Sequence, residues 1–533
     1  MILYYKKNLL DALLQLDKIH QQNQIKIMQK KLDILFVQPN GAKKIYQSLS
    51  ADHSAIEPPI WAAMLANRCR SLGYGTAILD CEAERLDTDE SAKQIKEANA
   101  RIVCIVVYGQ QPSSSSQNMS GAVETADKLK ELAPDSKILF VGPHASALPY
   151  ETLAEPSVDM ICQNEGVYTI SDLLKVTDLE DETQLKKVGG LGFKIDGNVT
   201  LNKISPIVAR ENLETDLPGM AWDLLPSINK YRTSGWHSWS NNSDKEPFAS
   251  IYTSLGCPNK CSFCMINIIS RTEQGDHISS EDSNKFRWWN PEFIIKQFDQ
   301  IAAMGVKNIK IADELFVLSP QHFMRICEML IERNYGFNIW AYSRIDTCRP
   351  KYLETLKKSG VNWLALGIEN PNTKLRGEVH KDGFQEVKIL DVIRDIQNAG
   401  INVAGNYIFG LPMDTAESMQ ETLDFALDNP TEMINFYSAM AYPGSPLHLT
   451  AKKKGWELPK KYEGYSQHSY ETLNLSNDHL TNAQILGFRD KAWMDVHTSE
   501  KYLSLLESKF GPRARENVAS TTAIKVKRRI LGD

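Results

Sequence analysis

The sequence predicts an α/β protein built on two parallel sheets. A doubly wound N-terminal sheet comes first, then a partial (β/α)6 barrel, then a small, mainly helical C-terminal segment. Two observations carry this. From residue 32 to about 175, and again from 247 to about 447, short β-branched runs alternate with helical patterns. Their strands are continuously apolar, the pattern of a parallel sheet covered by helices on both faces. A third observation locates the chemistry. Three of the nine cysteines fall within eight residues, directly after the first strand of the second block.

In the first block the strands are 32–39, 75–80, 101–108, 137–143 and 159–166. The helical stretches "PIWAAMLANRCRSLG" and "NMSGAVETADKLKELAP" each close with the Gly or Pro expected after a helix. Each strand ends in turn chemistry, notably Asn40 before Gly41, Gly142 before Pro143 and His144, and Glu165 before Gly166. Ligands of doubly wound sheets bind at such carboxyl ends. No G-x-G-x-x-G follows the first strand, which argues against a nicotinamide dinucleotide. Residues 179–246 change character, with a hairpin pattern around Asp196-Gly197 and then an aromatic, Pro-rich stretch. The expectation is a linker lying over both neighbours. Residues 1–27 read as an appended helix or an upstream misplaced start, and 28–178 as the first domain. The barrel takes 247–447 and the helical tail 448–533.

The second block supplies six βα units in about 200 residues, fewer than the ~250 residues of a complete eight-fold barrel. Composition bounds the partners. Hydrophobic residues make up 42% and charged residues 24%, with a net charge of −6. Nothing electrostatic favours nucleic acid or an anionic membrane, and no apolar run approaches the ~18 residues of a membrane span. The six scattered cysteines read as buried reduced thiols of a cytoplasmic protein.

In "GCPNKCSFC", Cys257, Cys261 and Cys264 form a C-x3-C-x2-C run. Closed zinc sites want four ligands and disulfide frameworks want even numbers. Three thiolates at a barrel's C-terminal mouth instead suit an iron–sulfur cluster with one iron left open. A zinc site borrowing a distant ligand is the plainer alternative. The motif, with Phe263 before the third cysteine, resembles the radical SAM superfamily. That resemblance implies a 4Fe-4S cluster on the three cysteines, with S-adenosylmethionine on the open iron and Phe263 beside the adenine.

Further strand ends extend the resemblance. Asp313 and Glu314 stand where that superfamily grips the methionine ammonium. Arg344 with Asp346, and Glu369 in "LGIEN", resemble strand ends of cobalamin-type members. Gly410 in "YIFGLPMDT" resembles the turn that lets backbone approach the adenine. A doubly wound domain ahead of such a barrel resembles the cobalamin-binding group, which implies a corrin over Asn40, Gly142, His144 and Glu165. The D-x-H-x-x-G cobalamin motif is absent. The implied activity is C-methylation of a small-molecule biosynthetic intermediate, with an external low-potential electron donor of flavodoxin or ferredoxin type. A cyclase or rearrangement enzyme is the nearest alternative, and a non-catalytic iron–sulfur carrier or sensor the more distant one. The stretches 235–239 and 465–470 are candidates to line the substrate pocket.

Overall fold

The computed structural model describes residues 31–109, 111–241, 244–276, 278–283, 285–381 and 388–533. The helical extension expected at 1–27 lies outside them. The first sheet has seven strands: β1 (Ile34–Gln38), β2 (Thr76–Asp80), β3 (Ile102–Val106), β4 (Ile138–Val141), β5 (Met160–Cys162), β6 (Leu191–Ile195) and β7 (Asn198–Leu201). They run in the order β2-β1-β3-β4-β5-β6-β7. Strands β1 to β5 pair in parallel and every one of their residues is buried, as helices on both faces require. The order reverses between β1 and β3, which opens a crevice outside their carboxyl ends.

The hairpin expected in the linker belongs instead to this sheet. β6 pairs antiparallel with β5, Met160 opposite Phe193, and β7 folds back on β6 across Asp196-Gly197. The boundary drawn at residue 178 therefore falls inside the sheet-bearing unit. Composition marks the change from apolar to half-exposed strands, and that change comes from reaching a sheet edge, not from leaving the sheet.

The second sheet consists of β8 (Phe248–Ile251), β11 (Asn308–Ile311), β12 (Asn338–Arg344), β13 (Val361–Glu369), β14 (Asn402–Phe409) and β15 (Met433–Ser438). All are parallel and lie in chain order, with β8 and β15 at the two open edges. A two-residue antiparallel ladder, β9 (Ser254–Leu255) with β10 (Arg287–Trp288), ties down the long loop that carries the cysteines. Helices Asn482–His497, Glu500–Phe510 and Pro512–Thr522 complete the tail.

The two sheets share one apolar core that reaches from Ile34 to Val518. Trp61 of the first unit stacks on Tyr108 at 4.4 Å and meets Tyr252 of the second edge-on at 6.4 Å. The aromatic stretch binds both sides. Asn67 donates to the carbonyls of Pro218 and Gly219, while the Trp363 indole donates to Ser240 Oγ at 2.7 Å.

Candidate functional site

The cysteine loop is built around a glycine and an asparagine. Gly256 has φ +83°, and a Cβ there would run into the Lys285 carbonyl, so only glycine lets the chain turn at that point. Asn267 then clamps the first cysteine from both sides. It accepts from the Cys257 N–H at 3.1 Å and donates to the Cys257 carbonyl at 2.7 Å. Asn259 donates to Cys257 Sγ at 3.3 Å, a bond that favours thiolate. Cys257 is buried, while Cys261 and Cys264 are half-buried. Burial raises all three thiols. At Cys261 it is opposed by the nearby Lys381 and Arg344 cations. Among the described residues no three His, Cys, Asp or Glu side chains, the three cysteines included, are gathered closely enough to share one ion.

Around the loop, the strand ends bring several expected residues together, though not all in the expected role. Glu314 follows β11 and accepts the Gly256 N–H through Oε2 at 3.1 Å. Burial, with Asp313 adjacent, pushes its carboxyl up to about 7. Asp313 is different. It is fully buried, and its two oxygens accept from the Thr253 N–H at 2.6 Å, the Thr253 hydroxyl at 2.5 Å and the Ser254 hydroxyl at 2.6 Å. It braces the end of β8 and has no oxygen turned to a ligand. Arg344 forks onto Asp346 at 2.9 and 3.2 Å. Glu369 sits at φ +62° after a bulge in β13 and pairs with Lys381. Lys381 in turn lies 5.9 Å from the centre of the Phe263 ring.

Gly410 keeps its φ of +77°, but what its missing Cβ admits is Ile485 of the C-terminal helix, 2.6 Å from the Cβ position. The absence of a Cβ is thus accounted for by helix packing. On the first domain, Asn40 closes a turn by donating to the Leu86 carbonyl and accepting from Ala42. Gly142 allows the end of β4 to abut the Val107 carbonyl. Glu165 is committed to Arg287 at 2.8 Å and to the Val208 N–H at 2.6 Å, which locks the first unit to the β10 ladder. His144 is buried, bonded through Nδ1 to Ser116 and packed edge-on against Tyr462. Burial, with His448 near, pulls it down to about 3, and its Nε2 has no partner. It lies outside the cavity described next, as do Glu165 and the three cysteines.

A cavity of about 870 Å³ lies between the units. Tyr46, Gln111, Ser113, Ser114 and Gln117 line it from the carboxyl end of the first sheet. Tyr342, Asn406, Asn435 and Tyr437 line it from inside the barrel. The inward positions of barrels are ordinarily filled by branched side chains. Here β13 and β14 place Ala365 and Ala404 there, and the lumen stays open. Of the two aromatic stretches, Trp236, Trp239, Gln467 and His468 reach the wall. His237 turns away to the Asn338 carbonyl. Glu57 of the first unit crosses to Lys310 of β11 at 3.0 Å, a buried pair set in the same wall.

These features fit the groups the motifs imply. Three thiols on one loop, one already accepting an N–H, suit a thiolate-held cluster. The crevice between β1 and β3 is bordered by Gly41, Gly109 and Gln117, and the missing Cβ of Gly109 would strike Ser114. Polar side chains, Gln38, Glu82, Gln117 and Asn118, stand among its lining residues and could meet a ligand's amides. Lys381, Asn267, Asn259 and the Glu57–Lys310 pair were not expected from the sequence.

Comparison with known proteins agrees with this geometry. Residues 251–426 match the Radical SAM superfamily and residues 49–174 the B12 binding domain. "Uncharacterized methyltransferase PH0819" of Pyrococcus horikoshii is 25% identical over 450 residues, 84% of this chain and 89% of that protein. The anaerobic magnesium-protoporphyrin IX monomethyl ester cyclase of Cereibacter sphaeroides is 22% identical, over 85% of this chain and 68% of that one. Among solved folds, the cobalamin-dependent S-adenosylmethionine radical enzyme OxsB superposes with a TM-score of 0.67 at 18% identity, covering 93% of this chain and 71% of its own. The radical S-adenosylmethionine methyltransferase TsrM of Kitasatospora setae gives 0.62 at 15% identity, covering 93% and 99%. With a B12-binding unit followed by a radical SAM unit, both opening on one cavity, the chain belongs to the cobalamin-dependent radical SAM enzymes, a family whose cofactors are a 4Fe-4S cluster, S-adenosylmethionine and cobalamin.

Proposed function

We propose that the protein is a C-methyltransferase acting on a small biosynthetic intermediate, with Cys257, Cys261 and Cys264 as cluster ligands and a flavodoxin- or ferredoxin-type electron donor. The observation that carries this reading is the single cavity onto which the first sheet's carboxyl ends and the barrel lumen both open. A methyl carrier at the first sheet's carboxyl ends would then face the barrel lumen across that cavity, whose lining includes none of the three cysteines. When bound, the cofactors supply a 5′-deoxyadenosyl radical for hydrogen abstraction and a cobalt-borne methyl group for transfer.

The chain's own residues do the positioning. Glu314 has one oxygen held by the Gly256 N–H, leaving the other for an ammonium, whose charge would draw its raised carboxyl back to the ionised form. Trp236, Trp239 and Trp340 wall off the lower lumen and exclude water from it. The methyltransferase relative matched over most of both chains supports the reading. The cyclase matches over a similar stretch of this chain favour ring formation as the second reading.

The test is anaerobic turnover of reconstituted protein, with and without hydroxocobalamin, under a low-potential reductant. Cobalamin-dependent S-adenosylhomocysteine together with 5′-deoxyadenosine is the expected result. Deoxyadenosine alone across candidate substrates would move the assignment to the cyclase. Neither product from a cluster-loaded protein would return it to a carrier.

A further inference from the structure

Lys381 is a buried cation that the strand-end motifs do not account for. It is 6% exposed, follows the short helix Thr373–Glu378, and is anchored by its own N–H to the Arg376 carbonyl at 2.9 Å. Its ammonium pairs with Glu369, which is equally buried. Space for the pair is made by Gly367. A Cβ at that position would lie 2.5 Å from Lys381 Nζ and 2.7 Å from Glu369 Oε1. Both ends of the pair ride on strained backbone, Glu369 at φ +62° and His380, just before Lys381, at φ +55°. Left-handed non-glycine residues persist only where the surroundings over-determine them, and they collect at functional sites.

The pair is aimed at the cysteine loop. Lys381 Nζ lies 5.9 Å from the centre of the Phe263 ring, between the second and third cysteines. The Val379 carbonyl, two residues before Lys381, accepts from the Ser262 N–H at 3.0 Å. One short segment thus holds the loop by its backbone and places a positive charge beside it. A purely structural ion pair would need neither the glycine clearance nor two strained residues, since well-packed apolar side chains fill such space at no loss of stability.

We propose that Lys381, held by Glu369, is a positioning residue whose fixed charge sets the reduction potential of the cluster carried by the Cys257–Cys264 loop. The proposal rests on the cluster assignment made above. One-electron reduction adds a negative charge to the cluster, and an adjacent buried cation stabilises that state while an adjacent carboxylate destabilises it. Lys381 and Glu369 therefore pull the potential in opposite directions, and the size of each pull reports how close its charge lies to the cluster.

The experiment is an EPR-monitored titration of reconstituted full-length protein with dithionite and mediators, without substrate. Iron and sulfide are counted for each variant. Lys381→Met is expected to make reduction at least tenfold less favourable, a shift of about 59 mV to more negative potential for one electron. Glu369→Gln is expected to shift it the other way, and Lys381→Arg to stay within threefold of wild type. Shifts of Lys381→Met and Glu369→Gln in the same direction, or none beyond threefold with the cluster intact, would overturn the proposal. If Lys381→Met does not retain a cluster, Glu369→Gln and Lys381→Arg decide it by the same signs. A wild-type protein that takes up no 4Fe-4S cluster would instead refute the cluster assignment itself, and this inference with it.

Discussion

Replacing Arg287 with methionine tests how the two units are joined. Arg287 is 6% exposed and Glu165 1% exposed, and the pair spans the boundary between the first sheet and the β10 ladder. Two guanidinium nitrogens reach the carboxylate, at 2.8 and 3.3 Å, and one also donates to the Val208 carbonyl. Methionine fills much of the volume but leaves Glu165 buried with only the Val208 N–H to hold it. Stranding one partner of a buried pair costs about 3–5 kcal/mol. For a unit of roughly 180 residues, a loss of that size lowers Tm by roughly 6–20 °C. Differential scanning calorimetry, with near-UV circular dichroism to identify which unit melts, reads it directly. Glu165→Gln with Arg287→Met removes both charges and should recover most of the loss. A single-variant shift below about 1 kcal/mol would mean the pair is solvated, and the junction between the units would then have to be held by apolar packing alone.

Other substitutions address the site itself. Gly256→Ala should abolish iron and sulfide incorporation, because its Cβ meets the Lys285 carbonyl and its φ of +83° disfavours any side chain; metal analysis after reconstitution checks this. Gly410→Ala should cost about 1–3 kcal/mol by overpacking, measured by thermal melting. Adding Ile485→Ala should relieve the clash part of that loss if Ile485, and not a ligand, explains the glycine. Asp80 is buried, and burial pushes its carboxyl up to about 6 from 3.8, against hydrogen bonds from Ala83 and Tyr231. Its folded pKa lies above the unfolded one, so the folded state binds more protons in between, and stability falls as pH rises from about 4 to about 6. Asp80→Asn should flatten that slope, by on the order of 3 kcal/mol across the window. Parallel melts at pH 4 and pH 7 show whether the slope is there.

The parts of this site legible in the sequence are those encoded locally. Apolar runs and terminal turns mark the strands because burial on both faces is a property of each strand alone. The three cysteines announce themselves because ligands on one loop are neighbours in sequence. Pairings across the fold leave no such trace. Glu165 reads as one more turn residue until Arg287, 122 positions later, is folded against it. Gly410 matches an adenine-turn pattern, yet its partner Ile485 belongs to a helix 75 residues on. Asp313 and Glu314 are adjacent, but the β-strand end turns one inward to Thr253 and leaves the other at the loop. The hairpin and strand β5 are each visible in the sequence, while their pairing is not, because register across a sheet edge depends on the partner.

The Glu57–Lys310 pair has a kinetic consequence. It crosses between the units in the wall of the cavity, and like the Glu165–Arg287 contact it is a buried tie between them. Moving the units apart must separate oppositely charged groups that are buried from solvent. A ligand that exchanges without that cost leaves by the side of the cavity that the exposed Lys525 and Leu531 border.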